Sequence, residues 1–259
     1  MKWKLALIVA ALLAFSPSYA SADSFQNPVR IPGPSGKSGA AHTFAFVSHQ
    51  QPCVVGSTNT CSGTVTGIGA GDLLVIDTQY GNTAGNGTAI TCTDTSGGNT
   101  YILTSPNGFI SFLTASDTGY GALFYVLSST SGSHTIQCTW TRTGGTGDVF
   151  ISVDTMEFTC SPACSTVTFD KDAQGAKASS TCNSPFTNNT VSPTQNGELI
   201  VADLIVDLGS PSTANSPWTL VTGGSGEYYV LSSSGSVQAN WVDTQSTGDS
   251  CGSTMGAWK

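Results

Sequence analysis

Glu157 is the carboxylate best placed for chemistry. In the run Val149–Phe158, alternation along a strand puts it on one face with Ile151, Val153 and Thr155, and its chain neighbours Met156 and Phe158 are apolar as well. A carboxyl in such company is desolvated, which is the setting of a general acid. The plainer alternative is a structural carboxylate bonded to a Tyr, Trp or backbone donor. Glycoside hydrolysis needs two carboxylates facing one bond, and the chain has only three glutamates, Glu157, Glu198 and Glu227. Asp77 and Asp203 could complete a pair, but they recur at equivalent places in an internal repeat, which points to a role in the fold such as ending a strand. The repeat-equivalent of Glu157 falls near Trp258, so no symmetric carboxylate pair emerges. The sequence therefore assigns no catalytic residue, and Glu157 stands as the one candidate.

Other familiar signatures are incomplete. Asp170-Lys-Asp172-Ala-Gln-Gly175 begins like a calcium loop, but its fifth position is Gln and its twelfth, Thr181, cannot supply a bidentate carboxylate. Ile31-Pro-Gly-Pro-Ser-Gly-Lys-Ser38 ends like a phosphate-binding loop, yet the first glycine is missing and neither the strand nor the helix of that motif flanks it. A triad would have to be assembled from distant residues around His42, His49 or His134, and His134 sits in a Ser-Gly-Ser-His segment that reads as a hairpin turn. Zinc knuckles need close Cys or Cys/His pairs. Only Cys160 and Cys164 are close, and all three histidines are remote from them. Neither a metal nor a cofactor is expected.

Aromatic rings offer binding instead. Tyr80, Tyr101, Phe109, Phe112, Tyr120 and Trp218 lie near strand ends or in the region 81–120, and rings flanked by Asn and Asp can stack on sugars. The competing reading is that these rings pack in the core.

The composition fixes the setting in which such residues work. Lys2 and Lys4 precede an apolar run from Leu5 to Phe15, then Pro17 and small residues, the layout of a secretory signal peptide over residues 1–22. The run is well short of the ~20 apolar residues that span a bilayer. No span is therefore expected after cleavage, and the mature chain should be secreted, extracellular or periplasmic. Residues 23–40 are rich in Pro, Gly and Ser and read as an extended leader. Without Lys2 and Lys4 the balance is 6 basic to 16 acidic residues, so nucleic acid is a poor partner. The eight cysteines fit an oxidising compartment. Short loops favour the pairs Cys53–Cys61 and Cys160–Cys164, and strands of one half favour Cys92–Cys138 and Cys182–Cys251.

Charged residues make up only 9% of the chain, too few for long amphipathic helices, and Thr, Val, Tyr, Phe and Trp favour strands. Strand-like runs punctuated by turn residues fill residues 41–259. Four segments recur in order. Gly71-Asp-Leu-Leu-Val-Ile-Asp77 matches Gly197-Glu-Leu-Ile-Val-Ala-Asp203. Phe124-Tyr-Val-Leu-Ser-Ser129 matches Tyr228-Tyr-Val-Leu-Ser-Ser233. Gln137-Cys-Thr-Trp140 matches Gln238-Ala-Asn-Trp241, and Thr-Gly-Asp follows each Trp at the same spacing. Leu73–Ile76 and Leu199–Ala202 are continuous apolar runs, as in strands buried on both faces. Trp140 and Trp241 are expected in the core. The expected fold is an all-β, antiparallel two-sheet β-sandwich of jelly-roll or Ig-like kind, disulfide-containing and built from pseudo-duplicated halves at about 62–158 and 165–259.

The series Gly71-Asp-Leu-Leu-Val, Thr93-Asp-Thr-Ser-Gly-Gly-Asn-Thr-Tyr101, Leu123-Phe-Tyr-Val and Val153-Asp-Thr-Met-Glu-Phe158, followed by Phe169-Asp-Lys-Asp and a second Gly-Glu-Leu-Ile-Val strand, resembles a widespread family of uncharacterised secreted bacterial β-sandwich proteins. That resemblance covers most of residues 60–259. It implies a sandwich and an extracellular or envelope setting, with no reaction attached; the many cysteines depart from the pattern. The functional expectation is an exported, non-catalytic protein that binds a glycan, a cell-surface partner or copies of itself. The alternatives are a secreted hydrolase using Glu157 and an extracellular filament subunit with exposed edge strands.

Overall fold

The computed structural model describes residues 41–104, 109–113, 118–144, 146–177, 190–206, 211–214, 216–221, 226–243 and 250–259. The segments expected to be a signal peptide and leader, residues 1–40, and Cys182 and the second Thr-Gly-Asp lie outside them. Within the described residues there is no α-helix, and one 3-10 turn at Cys164–Thr166 separates two runs of strands. The first run comprises β1 (Thr43–Gly56), β2 (Thr60–Ile68), β3 (Leu73–Asn82), β4 (Gly87–Asp94), β5 (Ile102–Leu103), β6 (Ile110–Leu113), β7 (Thr118–Val126), β8 (Gly132–Arg142) and β9 (Asp148–Ser161). The second comprises β10 (Phe169–Lys177), β11 (Thr190–Val191), β12 (Leu199–Val206), β13 (Pro211–Ala214), β14 (Thr219–Leu220), β15 (Gly226–Val230), β16 (Val237–Gln238), β17 (Trp241–Asp243) and β18 (Cys251–Trp258). All pairings in both runs are antiparallel.

The duplication is visible strand by strand. One large sheet has the order β1-β9-β3-β7-β5 and the other β10-β18-β12-β15-β14, so each strand of the first has a counterpart at the same place in the second. A smaller sheet, β2-β8-β4, covers the first; its counterpart is split into β11-β16 and β13-β17. β6, which pairs with β7, has no counterpart among the described strands of the second set. The glycine that opens each repeated motif is explained by its backbone: Gly71 and Gly197 have φ of 84° and 82°, a region L side chains rarely adopt. Each donates to the strand opposite, Gly71 to the Ser129 carbonyl and Gly197 to the Leu231 carbonyl.

The chain is an all-β sandwich with more than two layers. Leu74, Ile76, Phe124, Ile151 and Val153 meet Val65, Ile136 and Trp140 from the small sheet in one core. The opposite face of the same large sheet offers Leu73, Val75, Tyr125, Met156 and Phe158 to Leu199, Val201 and Trp258 of the second large sheet. Ile200, Ala202, Leu204 and Met255 then pack against Trp218, Leu231, Ala239 and Trp241 beyond it. The two large sheets therefore lie face to face, each between two cores. That is why β3, β12 and β18 are buried along nearly their whole length, and why β3 and β12 open on unbroken apolar runs.

Two sets of three rings close the shared core. Phe46 stacks on Tyr228 (centroids 5.0 Å) and both meet Phe158 edge-on. Phe169 stacks on Tyr125 (5.3 Å) and both meet Trp258 edge-on. Each set takes two rings from one half and the third from the other, so the halves are latched twice by the same device.

One repeat is out of register. Val75 faces Tyr125, but Val201, its equivalent, faces Tyr228 instead of Tyr229. A slip of one residue turns every side chain to the other face. Phe124 consequently lies in the outer core of its half and Tyr228, its match in sequence, in the shared core. Glu227 takes the outer-core place that Phe124 fills in the first half.

Three of the disulfides suggested by spacing are formed, Cys53–Cys61, Cys92–Cys138 and Cys160–Cys164. Cys251 is also disulfide-bonded. Among the described residues no helix is long and apolar enough to cross a membrane.

Candidate functional site

Glu157 lies on β9, buried to 2% exposure, with both oxygens committed: Oε1 accepts from the Gly69 N–H at 2.7 Å and Oε2 from the Ser48 hydroxyl at 2.8 Å. The second half shows what this bond is for. The equivalent N–H, that of Gln195, donates to Glu198 Oε1 at 2.7 Å, and the Thr194 N–H joins it. The same turn is pinned by a carboxylate in both halves. In the second half the longer side chain at the Gly-Glu motif reaches back by itself. In the first half that position is Asp72, and Glu157 supplies the bond. Burial, then the hydrogen bond and charge of Glu157, push the Asp72 carboxyl up to about 6. Sequence reasoning passed over Asp72, although its repeat partner Glu198 marked the position.

Asp77 and Asp203 do not end strands. Both sit mid-strand, fully buried, on the shared-core face of β3 and β12, where Asp77 faces Asp154 across the sheet and Gln79 donates to Asp203 at 2.9 Å. The recurrence is a feature of the seam between the large sheets.

The histidines separate into distinct tasks. His134 is within β8, not in a turn, and is buried between Asp94 (2.8 Å) and the Thr130 carbonyl (2.8 Å). Burial alone would raise the Asp94 carboxyl; bonds from Ser96 and His134 overcome it and hold the group below its ordinary range. Asp94 also accepts from the Asn99 N–H, so this cluster organises the Asp-Thr-Ser-Gly-Gly-Asn loop. His42 bonds Thr166 at the chain's first described residues. His49 is different. Its Nε2 meets Asp154 Oδ1 at 2.8 Å, and Gln51 donates to the other oxygen at 3.1 Å. Ser48 and His49 pair with Glu157 and Met156 and so point to opposite faces of the sheet. No serine–histidine–aspartate triad forms there.

Most of the aromatic candidates are core. Tyr80 (0% exposed) stacks on Trp140 at 5.5 Å, and Tyr120 (2%) packs against the same ring. Phe109 meets both Tyr120 and Trp140 edge-on, and Tyr101 packs against this cluster. These four rings close the first outer core and form no exposed stacking platform. The Phe112 side chain lies outside the described residues. Tyr80 also donates to Asp148, which Arg142 grips from the other side. That salt bridge and bond tie the start of β9 to β3 and β8.

Trp218 borders a groove. Its ring is 7% exposed, its Nε1 donates to the Gln238 carbonyl at 2.9 Å, and Tyr229 lies 6.0 Å away at a tilt. Together with Ser233, Ser234, Ser236 and Asn240 these rings line an open groove of about 360 Å³ whose wall holds no charged residue. The split in the outer sheet runs beneath it. There the Asn240 N–H turns inward to the buried Glu227 carboxyl at 3.0 Å, and burial pushes Glu227 up to about 8 against that bond.

Comparison with models of protein families, with curated sequences and with solved structures finds no match. The site therefore rests on its own chemistry. The calcium-loop segment is strand β10: Asp170 is held by Lys259 and Thr194, and Asp172 pairs across to Gly256. Thr181 and the segment Ile31–Ser38 lie outside the described residues. Among the described residues no three His, Cys, Asp or Glu side chains gather as a metal site.

Proposed function

We propose that this chain is an exported, non-catalytic binding module whose Trp218–Tyr229 groove takes a neutral glycan. The observation that carries the reading is the groove wall: two aromatic rings beside serine hydroxyls and an asparagine, with no charge. Sugar rings stack their C–H faces on aromatics and exchange hydrogen bonds with neutral hydroxyls and amides. The structural bonds of Glu157 weigh against the hydrolase alternative, because its carboxylate is spent on a turn. Disulfides support an oxidising, extracytosolic setting. Filament growth along β1 is disfavoured by two register breaks and Pro52 in that edge strand, features that blunt an edge.

The test is retardation of the purified protein in gels containing neutral polysaccharides, followed by calorimetry on any that bind. Tyr229→Leu keeps apolar contact with the core and removes the ring. It should weaken binding about tenfold, the loss of ~1.4 kcal/mol, with the melting temperature little changed. Equal binding by the variant, or no retardation by any neutral polysaccharide, contradicts the proposal.

A further inference from the structure

A second groove, of about 480 Å³, opens where β1 of the first half meets β14 and β15 of the second. Phe46, Val47, Leu220, Val221 and Tyr228 make it apolar, and His49 supplies its ring nitrogen chemistry. Val47, at the register break of β1, is 48% exposed at its rim.

The duplication separates what the fold needs here from what it does not. The latch of Phe46, Phe158 and Tyr228 recurs in the other half as Phe169, Trp258 and Tyr125. Those rings are a structural requirement met twice. The polar pair is not repeated. His49 and Asp172 are equivalents, facing Met156 and Gly256 across their sheets, while Asp154 and Thr254 face the equivalent residues Asp77 and Asp203. The counterpart of His49–Asp154 is thus an aspartate and a threonine. The same latch closes without an imidazole, so packing of the latch does not demand one.

The dyad also has a defined polarity. Asp154 accepts from Gln51 on one oxygen and meets His49 Nε2 on the other. With Nε2 donating, Nδ1 of the neutral ring is an acceptor. Among the described residues the His49 side chain makes no other hydrogen bond. No Lys, Arg, Asp or Glu lines the groove, so nothing there compensates a charged ligand.

We propose that this groove binds a neutral aryl group bearing a hydroxyl, its ring against Phe46 and Tyr228 and its O–H donated to Nδ1 of His49. The site is separate from the Trp218 groove and does not depend on a glycan binding there.

The experiment uses the full mature chain with 4-ethylphenol and its methyl ether, 4-ethylanisole, at pH 7, where a phenol is neutral as tyrosine is. Binding is read from the imidazole resonances of the three histidines and from calorimetry. The expected result is that 4-ethylphenol shifts the His49 resonances and not those of His42 or His134, and that the ether binds about tenfold more weakly for want of one hydrogen bond. His49→Gln can still donate an amide N–H to Asp154, so its melting temperature should hold while the preference for the phenol disappears. Tyr229→Leu should leave phenol binding intact. Equal affinity for phenol and ether, shifts confined to another histidine, no binding of either probe, or a preference for the phenol that survives in folded His49→Gln would each overturn the proposal. If His49→Gln does not fold, the wild-type phenol-to-ether ratio and the identity of the shifted histidine decide the matter.

Discussion

Phe124 and Glu227 occupy the same place in two copies of one unit, and the difference between them shapes the molecule. In the first half an aromatic ring fills the outer core, β8 runs unbroken, and Cys92–Cys138 ties that strand to β4. In the second half a carboxyl stands there, draws the Asn240 N–H out of the ladder, and leaves two short strips, with Ala239 at the place of Cys138. The closed copy has its rings inside. In the opened copy the half-buried Tyr229, backed by the buried Trp218, lines a groove. A duplicated fold can keep one copy as scaffold and loosen the other for binding, so the candidate site is best sought where the copies disagree.

The largest test of this contrast is aimed at what the copies share. Phe158→Ala and Trp258→Ala each remove the edge-on ring of one latch, and each should cost about 3–5 kcal/mol. Denaturant unfolding should show similar losses for both, since either ring belongs to the core between the large sheets. A loss confined to one of them would mean that the halves are not equally latched.

Next comes the pH dependence carried by Glu227. Its folded value is about 8 and its ordinary value 4.5, so between those pH values the native chain holds a proton that the unfolded chain has released. Stability must therefore fall as pH rises from 4.5 to about 8, by an amount on the order of 5 kcal/mol. Asp72 contributes in the same direction between 3.8 and about 6. Glu227→Gln should flatten the profile above pH 6 and leave only the shallower Asp72 contribution below it, a result readable by urea titration at several pH values. No change in that upper limb would remove the buried carboxyl from the account of the split sheet.

A smaller effect is expected at the pinned turns. Glu157→Ala strands the Gly69 N–H and the Ser48 hydroxyl and should cost about 2 kcal/mol. Glu198→Ala, which frees the equivalent N–H of Gln195, should cost a similar amount. If Glu157→Ala were harmless to stability, the shared-turn explanation of this carboxylate would fail.

Much of the architecture was legible in the residues. The unbroken apolar runs of β3 and β12 announced two-sided burial, and the recurring segments announced two copies. Strand β2 has little signal of its own, because Thr60–Ile68 is largely Thr, Ser and Gly; disulfide Cys53–Cys61 and Val65 secure it. The slip between Phe124 and Tyr228 was invisible, because a register is set by partners and not by the segment itself. Tyr80 and Tyr120 looked like binding rings for the same reason: nothing near them in sequence reveals that Trp140 lies against both. His49 and Asp154 are 105 residues apart and share no motif. Only the pairing of β1 with β9 brings them together.

The central claim is that two copies of one strand unit fold around a single shared core. Labelling the tryptophans with fluorine and following each resonance through a denaturant titration tests it directly. Trp140 reports the first outer core, Trp241 the second and Trp258 the shared one. The account predicts that all three lose their native signals at one denaturant concentration. Loss of Trp140 and Trp241 in separate transitions, with either half persisting alone, would contradict it.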